Sequence, residues 1–571
     1  MVRLSFLALA ALCQSALAAK VKYTFDIGWV TCAPDGFSRP CIGINGKWPI
    51  PTIQANVGDE ITVVANNKLG NQTTSLHWHG INQFHTNQMD GPSGVTQCPI
   101  PPGSSHTYTF VVDTPGTFWY HSHNMGQYPD GLRAPLIVRN PKASYVGKVA
   151  KEYDLVLSDW YHKQAVDIIK AFQSPTTGVP STPNPDSIIM NDGQSTDYAV
   201  EAGKTYLFRI YNIGAFPSFF VNFQGLDMSV VGLDGVATKP TPAKTLYVGA
   251  AQRYEVLVTA KNASTANSAI LALVDTSMFE TPYSGNTSIL GKLVYSKTAS
   301  APPAYQGLPN SILPPTDDMT IKPLDGQKLL GPVNRQIVIN FNQGLIDNIP
   351  RMTVNGKTYL QQKVPSLFTA MTAPQNLKLD PSIYGENSNS FAVKFGETVE
   401  IVINNQTPTG HPWHLHGHDF QVVARGGPGS QGTYDPKNAD PLPMKRDVAG
   451  VPPTGFVVFR FKADNPGIQL LHCHIEWHVE AGLTATILEA TDKINSVNFL
   501  DNDRVQITRG LDAMNNCIIQ KIPVLGNAAG NFIDYTNLSG ANTKVPQQNM
   551  GAMYTPARLK RGRVFANGFE S

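Results

Sequence analysis

Leu471-His-Cys-His-Ile-Glu-Trp-His-Val-Glu-Ala-Gly-Leu483 sets one thiol between two imidazoles and a third imidazole five residues after the thiol. A soft thiolate with imidazoles close by selects copper among the transition metals, with zinc as the main competitor. The rest of the chain decides between them.

Further histidines fall into tight groups. Of 14 in the chain, ten stand in His77-Trp-His79, His121-Ser-His123, His411-Pro-Trp-His414-Leu-His416, and His472, His474 and His478 around Cys473. In a strand, residues i and i+2 point the same way, so each His-x-His presents two imidazoles on one face. His85, His106 and His162 stand alone and read as structural, and His418 extends the third group without an assigned role. Ten imidazoles and one thiolate are too many for one ion. A mononuclear copper takes one Cys and two His with a weak axial neighbour. Cys473, His478 and one member of the third group supply that set, with Leu483 in the axial place as a residue that cannot ligate. The eight remaining histidines suffice for a cluster of three coppers. Flanked by His472 and His474, Cys473 joins the two centres through covalent bonds.

The chain around these motifs reads as β-structure. Gly58-Asp-Glu-Ile-Thr-Val-Val-Ala-Asn-Asn returns as Gly396-Glu-Thr-Val-Glu-Ile-Val-Ile-Asn-Asn, and each precedes a histidine group. Gly203-Lys-Thr-Tyr-Leu-Phe-Arg-Ile-Tyr-Asn has the same shape without histidines. Such period-two alternation marks half-buried strands, and three copies mark a repeated β-sandwich unit. The units fall at 19–142, 150–300 and 320–550, with a Pro/Ser/Ala-rich connection over Ser300–Pro315 and a polar tail at 551–571 that contains Lys560-Arg561-Gly-Arg563.

Residues 1–18 carry one positive charge, an apolar run and Ala16-Leu17-Ala18, the pattern of a secretory signal cut after Ala18 or Ala19. No later apolar stretch reaches the ~20 residues of a membrane span, so no membrane anchor is expected. A net charge of +2 on 571 residues gives no footprint for nucleic acid. The reading is a secreted monomer, extracellular or in the cell wall. Removing the signal leaves five cysteines, and an odd thiol in an oxidising compartment has another job. Cys473 is that thiol, while Cys32 pairs with Cys41 and Cys98 with Cys517. Sequons at Asn71, Asn262, Asn286, Asn405 and Asn537 are candidate glycan sites.

In the order H-x-H, H-x-H, H-P-x-H-x-H and H-C-H-x3-H-x4-L, these motifs resemble the fungal multicopper oxidases, the laccase and ferroxidase group, over essentially the whole mature chain. The resemblance implies an all-β fold of three consecutive cupredoxin-like Greek-key sandwiches holding four copper ions, and electrons taken singly from substrate to reduce O2 to water. It makes His411, Cys473 and His478 the type 1 ligands. His77 and His414 become type 2 ligands, and His79, His121, His123, His416, His472 and His474 the type 3 pair. Asp90 and Glu476 match acids that supply protons in relatives; each can equally be an acceptor that orients a ligand imidazole.

The substrate is read from the acids near the thiol. Iron-oxidising relatives hold Fe(II) on carboxylates there. Thr407 stands where one such acid would be, Gly178–Pro183 has none at a second position, and Glu280 corresponds to a third. Asp186 resembles the laccase acid that accepts a hydrogen bond from a bound phenol, or else caps a turn before its strand. The expectation is therefore a laccase that oxidises small diphenol-like substrates with O2. An Fe(II) ferroxidase is the alternative, and a secreted copper-binding protein without turnover is the contrasting class.

Overall fold

The computed structural model describes residues 18–143, 145–261, 266–296, 298, 300–301, 315–494 and 504–545. The expected signal up to residue 17, Asn262, most of the 300–315 connection and the tail with Lys560 lie outside them.

Each of the three strands singled out by the repeat is flanked in the same way. Glu60–Asn67 runs parallel to Lys20–Cys32 and antiparallel to Ser105–Val111. Thr205–Asn212 lies between Lys151–Trp160 (parallel) and Arg253–Thr259 (antiparallel). Thr398–Asn405 lies between Arg335–Ile346 (parallel) and Phe456–Lys462 (antiparallel). Alternation drives this placement: in the first copy Ile61, Val63 and Ala65 are fully buried, while the residues between them are half-exposed. A second sheet faces each of these, so six sheets form three consecutive pairs over residues 20–139, 151–294 and 335–489. The fold is all-β and cupredoxin-like.

The histidine strands belong to the second sheets of the first and third units. His77–His79 pairs antiparallel with Gly116–His121, which sets His77 opposite His121. His411–Leu415 pairs antiparallel with Gly467–Cys473, which sets His414 opposite His472 and Trp413 opposite Cys473. Between them the intervening tryptophans, Trp78 and Trp413, point into the cores and are fully buried. The two sheets meet face to face, and Asn87 of the first unit closes the seam by bonding both the N–H and the C=O of Ile468 in the third.

Buried charge joins all three units. Arg253 of the middle unit donates both terminal nitrogens to Asp447 of the third (2.7 and 2.6 Å) and its Nε to the carbonyl of Thr117 in the first (3.1 Å). Arg446 bonds Asp234 and Asp318 beside it. Among the described residues no helix is long and apolar enough to cross a membrane.

Cys32 is joined to Cys41, and Cys98 to Cys517 on the helix Arg504–Ile519. The second bridge spans 419 residues, so it removes much freedom from the unfolded chain. Replacing both Cys98 and Cys517 by Ser is expected to cost about 2–4 kcal/mol. A lowered Tm in a thermal scan checks this, and an unchanged Tm would show that the bridge adds nothing.

Candidate metal centre

The strand Gly467–Cys473 ends at the thiol, and the chain turns at once into the short helix Glu476–Glu480 that carries His478. His411 opens the neighbouring strand. This brings Cys473 Sγ to 3.6 Å from His411 Nδ1 and 3.8 Å from His478 Nδ1, with the two Nδ1 atoms 3.1 Å apart. A trigonal ion with bonds of about 2.0–2.3 Å needs donors separated by about 3.5–3.7 Å; both thiol–imidazole separations match this, and the two Nδ1 atoms lie closer than an ion would hold them. Leu483 is buried, and its backbone is bonded to both Cys473 and His478, which pins an aliphatic side chain beside the set. The outer nitrogens end on hydroxyls: His411 Nε2 on Thr407 Oγ1 (2.7 Å) and His478 Nε2 on Thr182 Oγ1 (2.9 Å).

The other eight histidines pack against one another at the seam, with neighbouring ring centroids 3.8 to 6.1 Å apart. Backbone carbonyls face the Nδ1 atoms of His77 (Asp90 O, 2.8 Å), His121 (Ser122 O, 2.9 Å), His414 (Asp447 O, 2.9 Å) and His472 (Cys473 O, 2.8 Å). The Asp90 carboxylate takes His416 Nδ1 at 2.7 Å. A carbonyl accepts only from N–H, so each contact fixes the tautomer and leaves a lone pair on the other nitrogen. Those lone pairs point inward: Nε2 of His77, His121, His123 and His414 and both nitrogens of His79 and His474 are buried with no hydrogen-bond partner. His416 Nε2 and His472 Nε2 face each other at 3.1 Å. Buried acceptors without donors are costly, and several aimed at one space fit metal cations.

Burial keeps these imidazoles neutral, as ligation requires. It pushes His472 down to about 4 and His478 to about 3, and holds His79, His121, His123, His411, His414, His416 and His474 well below the ordinary value. The Cys473 thiol is pushed up by the same burial, so it needs a bound cation to ionise.

The acids divide into several roles. Asp90 bonds His416 and approaches His77 Nδ1 at 3.1 Å, the geometry of an orienting acceptor. Glu476 lines a cavity of about 220 Å³ with His123, Met125 and Glu480. Burial, then the charge of Glu480, holds Glu476 well above the carboxylate range, and burial raises Glu480 to about 7. Asp186 is exposed; it accepts the backbone N–H of His162 at 2.7 Å and lies 3.7 Å from its ring. Its local role is the cap of the turn. Exposed Glu280 instead reaches the thiol set through Thr182, whose N–H it accepts at 3.1 Å.

Four residues escaped the sequence. Asp447 and Arg253 carry no motif; their only signal is charge beside or within strands that are otherwise buried. Thr182 sits in a loop that sequence searched only for acids, and Glu480 stands one helical turn after Glu476. One sequon is corrected: Asn405 is fully buried, and its side chain bonds Thr409 O, Pro452 O and Thr407 N, leaving no room for a glycan. Asn71, Asn286 and Asn537 are exposed. His106 is buried away from the centre, and His418 pairs with Glu489 at 2.6 Å.

Because protons compete with metal for the same lone pairs, depressed imidazoles extend metal binding to lower pH. Metal content after dialysis is expected to stay flat from pH 7 to about 5 and to fall below about 4, whereas loss centred near 6.5 would mean solvated imidazoles.

Profiles described as Multicopper oxidase match residues 26–143, 151–298 and 359–493. The chain is 45% identical over 545 residues to the iron transport multicopper oxidase fetC of Epichloe festucae, covering 94% of this chain and 85% of that protein. It is 36% identical over 549 residues to the iron transport multicopper oxidase FET3 of Saccharomyces cerevisiae, covering 92% and 84%. Among solved structures it is similar to Fet3p, a multicopper oxidase that functions in iron import (TM-score 0.85, 34% identity, 92% of this chain and 100% of that one). The laccase from Botrytis aclada is also similar (TM-score 0.74, 29% identity, 87% and 92%). Relatives this similar over nine-tenths of the sequence leave one assignment: the chain belongs to the multicopper oxidase family.

Proposed function

We propose that this multicopper oxidase is an Fe(II) oxidase with four coppers. Its type 1 ion would sit on His411, Cys473 and His478. The type 2 ion would sit on His77 and His414, and the type 3 pair on His79, His121, His123, His416, His472 and His474. The observation that carries the iron reading is the line from Glu280 through Thr182 to His478 Nε2, with steps of 3.1 and 2.9 Å. It ends on an exposed carboxylate, the oxygen ligand a hard cation takes. The iron-transport names of the relatives support it. Phenol oxidation is the second reading, favoured by a cavity of about 380 Å³ beside His411, lined in part by Tyr247, Tyr254 and Met278.

When bound, the coppers supply one-electron acceptance and the site of O2 reduction. The chain does the rest. Glu280 binds Fe(II). Electrons enter at His478 and pass along Cys473 to His472 and His474. Four Fe(II) give four electrons, which with four protons turn one O2 into two waters. Glu476 and Glu480, kept protonated by burial, deliver protons from the cavity that opens beside His123. Two disulfides agree with a secreted, oxidising setting.

Steady-state O2 uptake by the copper-loaded protein, with Fe(II) set against a phenol panel, tests the reading. Iron is expected to give the higher kcat/KM; a better phenol would reverse the assignment. Glu280→Gln is expected to raise KM for Fe(II) about tenfold while leaving phenol oxidation nearly unchanged, as loss of one charged ligand implies. Glu476→Gln should slow turnover with every donor by about tenfold or more, without slowing reduction of the type 1 copper in anaerobic stopped flow.

A further inference from the structure

The middle unit supplies none of the ten clustered histidines, yet one of its side chains reaches the metal centre. Arg253 is fully buried on the strand Arg253–Thr259, and its terminal nitrogens donate to the two carboxylate oxygens of Asp447 at 2.7 and 2.6 Å. A bidentate guanidinium fixes the rotation of the carboxylate as well as its position. Asp447 in turn bonds one ligand imidazole and stands beside a second. Its carbonyl accepts from Nδ1–H of His414 at 2.9 Å, and its Oδ1 lies 3.6 Å from Nε2 of His79. Those rings stack with centroids 3.8 Å apart.

The surroundings are built for this pair. Gly80 follows His79 at φ +90°, and a Cβ there would come within 2.5 Å of Arg253 Nη2 and 2.9 Å of Asp447 Oδ2. Only glycine leaves that space and takes that backbone without strain. Asp234 accepts the backbone N–H of Arg253 at 2.7 Å and also pairs with Arg446. Arg253 and Arg446 thus share a buried network with Asp447, Asp234 and Asp318.

We propose that Arg253 is a positioning residue: by locking Asp447 it holds in place the carbonyl that orients the imidazole of His414 and the carboxylate that stands beside His79, so the middle unit sets the geometry of the metal ion that His414 holds. The proposal rests on the four-copper assignment above, but not on the substrate. Lysine keeps the charge of Arg253 and cannot engage both oxygens at once.

Arg209 provides the control. It is equally buried in the middle unit and bonds Glu255 and the Thr117 hydroxyl, but no ligand histidine. Full-length Arg253→Lys, Asp447→Asn and Arg209→Lys proteins are loaded with copper. They are compared by the EPR spectrum of the type 2 copper, copper content after dialysis against a weak chelator, and the visible absorption of the Cys473-bound copper. Arg253→Lys should alter the type 2 hyperfine splitting and weaken retention of that copper about tenfold or more, the usual effect of losing a ligand's hydrogen-bond partner, with the visible band intact. Asp447→Asn should show the same change, and the double variant no more than either alone. Arg209→Lys should lower Tm and keep both spectra. A wild-type type 2 spectrum and copper content in Arg253→Lys overturns the proposal, or in Asp447→Asn if Arg253→Lys does not fold. So does the same copper loss in Arg209→Lys, which would reduce the effect to general loosening. None of these readouts uses Fe(II), so failure of the iron reading would leave them intact.

Discussion

Inward-facing imidazole lone pairs, buried and without donors, are the constraint on which the rest of the structure depends. Such groups cost free energy in a packed interior until a cation arrives. The surrounding chain must therefore hold them by other means. It does so with five outward hydrogen bonds at His77, His121, His414, His416 and His472, and with antiparallel register that sets His77 against His121 and His414 against His472. A one-residue slip in either strand pair would turn the histidines into the core and the tryptophans into the cluster. The bulky buried Trp78 and Trp413 make that slip expensive, so core packing and site geometry enforce each other.

The same local backbone serves the electron path. Cys473 and His472 are adjacent on one strand and point to opposite sides of it, so the thiol faces the single-ion site while the imidazole faces the cluster. The turn that follows places His474 on the cluster and His478 back at the thiol. Distance between the two centres is thereby set by covalent geometry rather than by packing. On the outer side, Thr182 and Thr407 cap the two imidazoles with neutral hydroxyls. Glu280 brings negative charge to that edge through a hydrogen-bonded line, and it does so from the surface.

Much of this was legible in the sequence because it depends on period. The alternation in Glu60–Asn67 and its two copies marked the repeat, and His-x-His spacing marked paired ligands on one face. Cys473 announced itself as the odd thiol. What stayed hidden depends on tertiary approach. Asp447 and Arg253 are far apart in the chain and carry no spacing that links them. Thr182 matters only because a loop of the middle unit folds over His478. Asp186 shows the turn-capping contact that its position before a strand allowed, an accepted backbone N–H from His162, and its carboxylate remains exposed. Glu280 has no spacing that ties it to the thiol, and its link to His478 arises only where the Thr182 loop meets that edge.

The cluster is divided between the first and third units, with four histidines emerging from the ribosome well before the other four. Domains generally fold as units, N-terminal first during synthesis. The first unit can thus complete its sandwich while exposing a half-built face of histidines, and Cys98 must likewise wait for Cys517 near the end of the described chain. Neither the cation cavity nor the long covalent tie can close on a truncated product. Completion of the site and of its covalent tie therefore depends on residues from both ends of the described chain.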